Sequence, residues 1–151
     1  MKLEEEIKQK KFRSEYQKLI INILFTGNWI QASQNKLLKP KGISLQQFNI
    51  LRILRGQFPE PATLGLIQER MLDKNSNASR LVDKLKLKKL VERKESKIDR
   101  RQVDILITQK GLDTLSELDV LITEHEKLIS FLSEEEVKKI NDSLDLLRDK
   151  F

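Results

Sequence analysis

Residues 73–111 read DKNSNASRLVDKLKLKKLVERKESKIDRRQVDILITQKG, and this stretch decides the fold. Its opening run, Asp73-Lys74-Asn75-Ser76-Asn77, offers both a turn and a helix cap, because short polar side chains satisfy the amides a helix start leaves without partners. From there to roughly Lys89, Ala78, Leu81, Val82 and Leu85 fall on one side of a helical wheel. Ser76, Arg80, Asp83 and Lys84 fall on the other, flanked by Asn77 and Ser79. Val91–Glu95 and Gln102–Ile107 then read as two strands, since Val103, Ile105 and Ile107 alternate as a half-buried strand requires. The charged residues from Ser96 to Arg101 form the hairpin loop between them.

Working outward, Thr63 caps a short helix through Met71, so two short helices joined by a tight polar turn precede the hairpin. Ser44 with Gln47 makes a capping box, and Phe48, Leu51 and Leu54 line a helix that ends before Pro59. Phe58-Pro59-Glu60-Pro61 is a connector. From Leu3 to Leu38, Ile7, Tyr16, Leu19, Ile20, Ile23, Leu24, Ile30 and Leu37 recur at helical spacing without a proline, which predicts one long helix stopped near Pro40 and Gly42. Downstream, Thr108 starts a helix carrying Leu112, Leu115, Leu118, Leu121, Ile122, His125, Leu128 and Ile129. A capping box from Ser133 to Glu136 opens a last helix with Val137, Ile140, Leu144 and Leu147.

A helix-turn-helix followed by a two-stranded hairpin is the winged-helix plan. The expected fold class is mainly α with a small β-hairpin wing: a winged helix-turn-helix domain plus long N- and C-terminal dimerisation helices. Residues 1–40 are read as the N-terminal dimerisation helix, 43–110 as the DNA-binding lobe and 111–151 as the C-terminal dimerisation helices, all in one intertwined domain. The outer helices carry more apolar positions than so small a core can cover, and a two-fold dimer buries the surplus. Phe12, Tyr16, Leu121, Ile140, Leu144, Leu147 and Phe151 are the expected interface. Monomeric bundle packing of the same residues is the alternative.

Charge points to the partner. The 151-residue chain carries 29 Lys and Arg against 23 Asp and Glu, a net +6. Eleven basic and four acidic residues lie between Lys74 and Arg101, so this segment holds +7 and the rest of the chain about −1. All the positive excess sits on the fourth helix and the hairpin, two adjacent elements that can touch one duplex. Ser76, Asn77, Ser79, Arg80 and Lys84 have the composition needed in a major groove, where short side chains admit the backbone, Asn pairs with adenine edges and Arg with guanine edges. Arg80 paired with Asp83 or Asp73 on the surface is the competing account. At the hairpin tip, Asp99 stands two residues before Arg101 and can aim its guanidinium, which with Lys97 and Arg100 suits the minor groove. A purely structural ion pair would use the same residues.

Other classes are poorly supported. With no cysteine and one histidine, disulfides, thiolate clusters, thiol redox sensing and a zinc site are ruled out. No nucleophile with its base, catalytic carboxylate pair or phosphate loop can be pointed to, so neither an enzyme nor a cofactor is expected. The N-terminus lacks the apolar core of a signal peptide and no run is long enough to span a bilayer, which predicts a soluble cytoplasmic protein. A helical interaction module whose basic hairpin docks an acidic protein is the rival reading.

The segments Ser79-Arg80-Leu81-Val82-Asp83-Lys84-Leu85, Leu90-Val91-Glu92-Arg93 and Asp99-Arg100-Arg101-Gln102 through Gly111 resemble, in order and spacing, the recognition helix, wing and following helix start of the MarR-type (multiple-antibiotic-resistance regulator) family. Ile43-Ser44-Leu45-Gln46-Gln47-Phe48 with Leu51 is similar to that family's second-helix opening, so the likeness covers roughly Gly42 to Leu115. The resemblance implies a dimeric, bacterial, sequence-specific duplex-DNA-binding regulator, a repressor relieved by a small ligand, acting on a pseudo-palindrome. It also implies that Asp99 and Arg101 form the wing salt bridge and minor-groove finger. Members of the family often bind a small aromatic effector between dimer helices and DNA-binding lobe, and Phe25, Trp29, Phe48 and His125 are the candidates here, with plain core packing as the alternative. Where the family usually has Gly after the recognition helix, this chain has Lys89. Either that turn is not left-handed or Lys89 carries a strain of about 1–2 kcal/mol.

Overall fold

The computed structural model describes residues 1–96 and 102–149. Its helices are α1 (Leu3–Glu6), α2 (Glu15–Leu38), α3 (Leu45–Gln57), α4 (Leu64–Arg70), α5 (Ala78–Leu87), α6 (Gln109–Glu126) and α7 (Glu134–Asp149). Its strands are β1 (Ala62–Thr63), β2 (Val91–Glu95) and β3 (Val103–Ile107), and the architecture is the expected winged helix-turn-helix with long outer helices.

Two expectations need correction. The predicted single helix from Leu3 to Leu38 is broken between Glu6 and Glu15. Lys8 adopts a left-handed conformation, and Ser14 caps the new start by accepting from the Gln17 amide at 3.2 Å. The Gln17 side chain reaches back to the Arg13 amide at 2.7 Å. This cap stands inside an otherwise helical apolar period, so periodicity alone ran straight through it. The wing is also larger than a hairpin. Thr63, expected only as a cap, and Ala62 before it pair antiparallel with Asp104 and Ile105, giving a three-stranded sheet in the order β1-β3-β2. The β2–β3 register runs from Val91↔Ile107 to Glu95↔Val103.

The remaining boundaries follow their caps. Ser44 and Gln47 form the predicted capping box, Thr63 accepts from the Leu66 amide and Thr108 from the Gly111 amide. Ser133 and Glu136 exchange hydrogen bonds at the start of α7. A 3-10 turn at Lys39–Lys41 and a left-handed Gly42 separate α2 from α3.

The core lies between α3, α5, the sheet and the inner face of α6, with Ile50, Leu51, Ile67, Val82, Leu85, Ile105, Leu115 and Leu118 essentially sealed from water. By contrast, α2 contributes only Leu38 to the buried set and α7 contributes nothing. The outer helices therefore frame the lobe without being part of its interior.

Candidate nucleic-acid interface

The inner face of α5 packs as the wheel requires: Ala78, Val82 and Leu85 are buried and Leu81 is packed against the core. This leaves Arg80, Asp83 and Lys84 exposed on the outer face. Among the described residues Arg80 and Lys84 have no ion-pair partner, and the two carboxylates that could have taken Arg80 are engaged elsewhere. Asp83 accepts from Arg93 of β2 at 2.6 Å, tying the helix to the sheet. Asp73 accepts from the Ser76 hydroxyl at 2.7 Å and the Asn75 amide at 3.0 Å. These two donors, with the Gln46 side chain, hold its carboxyl below the usual carboxylate value.

The N-terminal end of α5 differs from the wheel in one respect. Ser76 is not on the helix but in the turn before it, half-buried and closed onto Asp73. Asn77 is the cap, and its Oδ1 accepts from the Arg80 amide at 2.9 Å, so only its Nδ2 remains available as a donor. Ser79 is half-buried. The turn is tied to both neighbouring helices: Asn49 of α3 accepts from the Leu72 amide at 2.9 Å, and the Gln68 carboxamide of α4 donates to the Lys74 carbonyl and accepts from the Ala78 amide. Sequence reasoning missed Asn49, Gln68 and the Asp83–Arg93 pair. Opposite charges facing each other across helix and strand were a usable signal for the last.

At the other end, the turn after α5 is left-handed, and Lys89 takes the place of glycine at φ 61°. The Leu90 amide donates to Leu85 O at 3.1 Å and the Lys89 amide to Lys86 O at 2.9 Å, the paired bonds of a Schellman motif, with Leu85 and Leu90 both buried. The strain anticipated at Lys89 is therefore present. This turn also anchors α6. Thr108 donates through its amide to Leu90 O at 3.0 Å and through its hydroxyl to Lys89 O at 2.8 Å. The strands keep their pairing to Ser96, whose amide donates to Gln102 O at 3.1 Å. Lys97, Asp99, Arg100 and Arg101 lie outside the described residues, as does Phe151.

The four aromatic candidates for an effector cavity are not brought together. Phe25 and Trp29 share a cleft of about 220 Å³ with Met1, Glu6 and Thr26. Phe48 is a core residue, and His125 Nε2 lies 2.7 Å from Ser33 Oγ, joining α6 to α2. A larger cleft of about 470 Å³ runs between α2 and the α4–α5 turn, lined in part by Ile30, Gln31, Gln34, Gln46 and Leu72. Of the expected interface residues, Tyr16 is 82% exposed, and Leu121 and Ile140 are also open to solvent. Phe12 is half-buried, as are Leu144 and Leu147, which face Leu19 and Ile23 of α2 across a cleft. Among the described residues no helix is long and apolar enough to cross a membrane, and no group of three or more His, Asp or Glu is placed to hold a metal.

Known proteins match this arrangement. The model of the MarR family matches residues 41–102. The HTH-type transcriptional regulator MhqR of Bacillus subtilis is 32% identical over 128 residues, spanning 84% of this chain and 87% of that protein. Among solved structures, the S. aureus MepR–DNA complex superposes with a TM-score of 0.78 at 22% identity, over 93% of this chain and 98% of that one. The organohalide-sensing regulator RdhR-CbdbA1625 in its 2,4-dichlorophenol-bound form gives 0.82 at 18% identity, over 94% and 86%. At those identities the structures speak for the fold, whereas the long match to MhqR speaks for ancestry. The chain belongs to the MarR family of transcriptional regulators.

Proposed function

We propose that this regulator binds duplex DNA as a two-fold dimer, with α5 in the major groove and the 97–101 connection of the wing at the adjacent minor groove, and that it represses transcription until a small ligand binds. The carrying observation is Arg80: an arginine on the solvent face of a helix with a sealed inner face, with no carboxylate partner among the described residues. Lys84 stands one turn further along the same face, and both belong to the stretch of sequence, residues 74–101, that carries the basic excess. The uncovered apolar residues of α2, α6 and α7 support dimerisation, which places two copies of α5 about 34–36 Å apart on a pseudo-palindrome. The cleft beside Leu72 supports an effector site. A neutral phenol-like molecule there would lie against amide side chains and the start of the turn that leads into α5, and the fold neighbour that holds 2,4-dichlorophenol gives this chemistry a precedent. No catalytic step is involved, and the work is done in the cytoplasm, where the DNA is.

The test is fluorescence anisotropy with a labelled duplex from the protein's own upstream region and a scrambled control, each at two salt concentrations. Tighter binding to the upstream duplex, weakening as salt rises, is expected. Arg80→Ala should lower the ratio between the two affinities, and Arg101→Ala should weaken both and reduce the salt slope. Absence of binding to either duplex at low salt would sink the reading in favour of an interaction module.

A further inference from the structure

The turn between α4 and α5 sets where the first residues of α5 point, and three of its hydrogen bonds are internal. The Asn75 amide and the Ser76 hydroxyl close onto the Asp73 carboxylate, and the Ser76 amide donates to Asp73 O at 3.2 Å. Those bonds give the turn its shape but do not fix it relative to the lobe. Gln68, half-buried on α4, does so at the exit. Its Nε2 donates to Lys74 O at 2.9 Å while its Oε1 lies 3.4 Å from the Ala78 amide. Ala78 is the first residue of α5, and its amide is one of those a helix start leaves without an intrahelical partner. Asn77 caps the helix from within the turn, whereas Gln68 caps it from another helix. Only the second bond ties the start of α5 to a fixed place on α4.

We propose that Gln68 is a positioning residue for base recognition. One planar carboxamide holds the last stretch of the turn and the first amide of the helix together, and thereby aims Asn77, Ser79 and Arg80, which lie within two residues of Ala78. Gln68 itself touches no base. Contacts to base edges tolerate little displacement, because a hydrogen bond weakens steeply with distance and angle, whereas phosphate contacts are forgiving. Loosening the clamp therefore removes discrimination before it removes affinity. The inference rests on the DNA-binding reading above.

The full chain is compared with Gln68→Met, which keeps length and packing but removes both hydrogen bonds, and Gln68→Glu, which keeps the acceptor for the Ala78 amide but loses the donor to Lys74 O. Affinities are measured for a duplex enriched from a random-sequence pool by the wild-type protein, and for a scrambled duplex of the same composition, at two salt concentrations. The ratio of the two affinities should fall about tenfold in Gln68→Met, from two hydrogen bonds of ordinary strength, and at least as far in Gln68→Glu, where an acceptor oxygen replaces the donor facing Lys74 O. Affinity for the scrambled duplex and the salt slope should stay within about twofold. Should Gln68→Met fail to fold, Gln68→Glu decides by the same criterion. Equal weakening on both duplexes, or an unchanged ratio in a folded variant, overturns the inference alone. A wild-type protein that enriches no duplex overturns the DNA-binding reading and this inference with it.

Discussion

Gly111 is the third residue of α6, where intrinsic helix propensity favours alanine over glycine by about 1 kcal/mol. The surroundings reverse that preference. A Cβ at Gly111 would lie 2.2 Å from Leu90 O, 2.7 Å from Ile107 Cγ1 and 3.2 Å from Leu90 C. Carbon atoms rest at about 3.5–4.0 Å from such neighbours, so the backbone of the Leu90 turn must retreat by about 1 Å. That turn is held by both Thr108 hydrogen bonds, to Leu90 O and Lys89 O, and retreat loosens them. Overpacking costs about 1–3 kcal/mol, and the two bonds add about 1 kcal/mol each. After subtracting the propensity gain, Gly111→Ala should destabilise the fold by about 2–4 kcal/mol, a fall in Tm of about 5–15 °C for a chain of this size. Urea unfolding and calorimetry at one fixed protein concentration measure it, with Gly56→Ala as control, because a Cβ there meets nothing within 4 Å. A Gly111→Ala variant as stable as wild type, or more stable, would show that the close approach of α6 to the Leu90 turn is wrong.

Lys89→Gly should stabilise the protein by up to about 1 kcal/mol, the relief of left-handed strain less the extra freedom glycine gives the unfolded chain, and a lower urea midpoint would contradict the left-handed turn. A double-mutant cycle on Asp83 and Arg93 should give a coupling of less than about 1 kcal/mol, because the side chains are 54% and 27% exposed; a coupling of several kcal/mol would mean that the pair is buried in the working form. Asp73 is held ionised by Ser76 and Asn75, and Glu136 by the Ser133 amide and hydroxyl. Both pKa values are lowered on folding, so their contributions are fully present above about pH 5 and are lost as pH falls through the folded values. Unfolding midpoints followed against pH should show Asp73→Asn with a flatter acid limb than wild type, and an identical limb would remove Asp73 from the account.

How much of this could be read in advance depended on the range of each interaction. Caps at Ser44, Thr63, Thr108 and Ser133 are local, involving residues three apart, and each was legible. The alternation of Val103, Ile105 and Ile107 was legible for the same reason. Ser14 with Gln17 carried a comparable cap signal, but the apolar period on either side concealed it. Strand β1 is two residues long, too short for any pattern, and exists because β3 offers it an edge. Gly111 reads as an ordinary helical glycine until residue 90 is known to lie against it, and Ser33 meets His125 across 92 residues. The outer face of α5 was largely foreseeable from its wheel. The residues that hold that face in place, Asn49, Gln68 and Arg93, were not, because each acts across a gap between elements.

The anchoring of α6 has a mechanical consequence. Its first turn is fixed to the end of α5 by Thr108, while its far end carries His125, bonded to Ser33 of α2. Eighteen residues at 1.5 Å each make a rod of about 27 Å. Displacing the far end sideways by about 2.4 Å tilts that rod by about 5°, and a near end fastened to the Leu90 turn must pass the rotation to α5 or break its hydrogen bonds. The helix is thus a lever whose middle rests on the core, whose far end is tied to α2 and whose near end is the exit of α5.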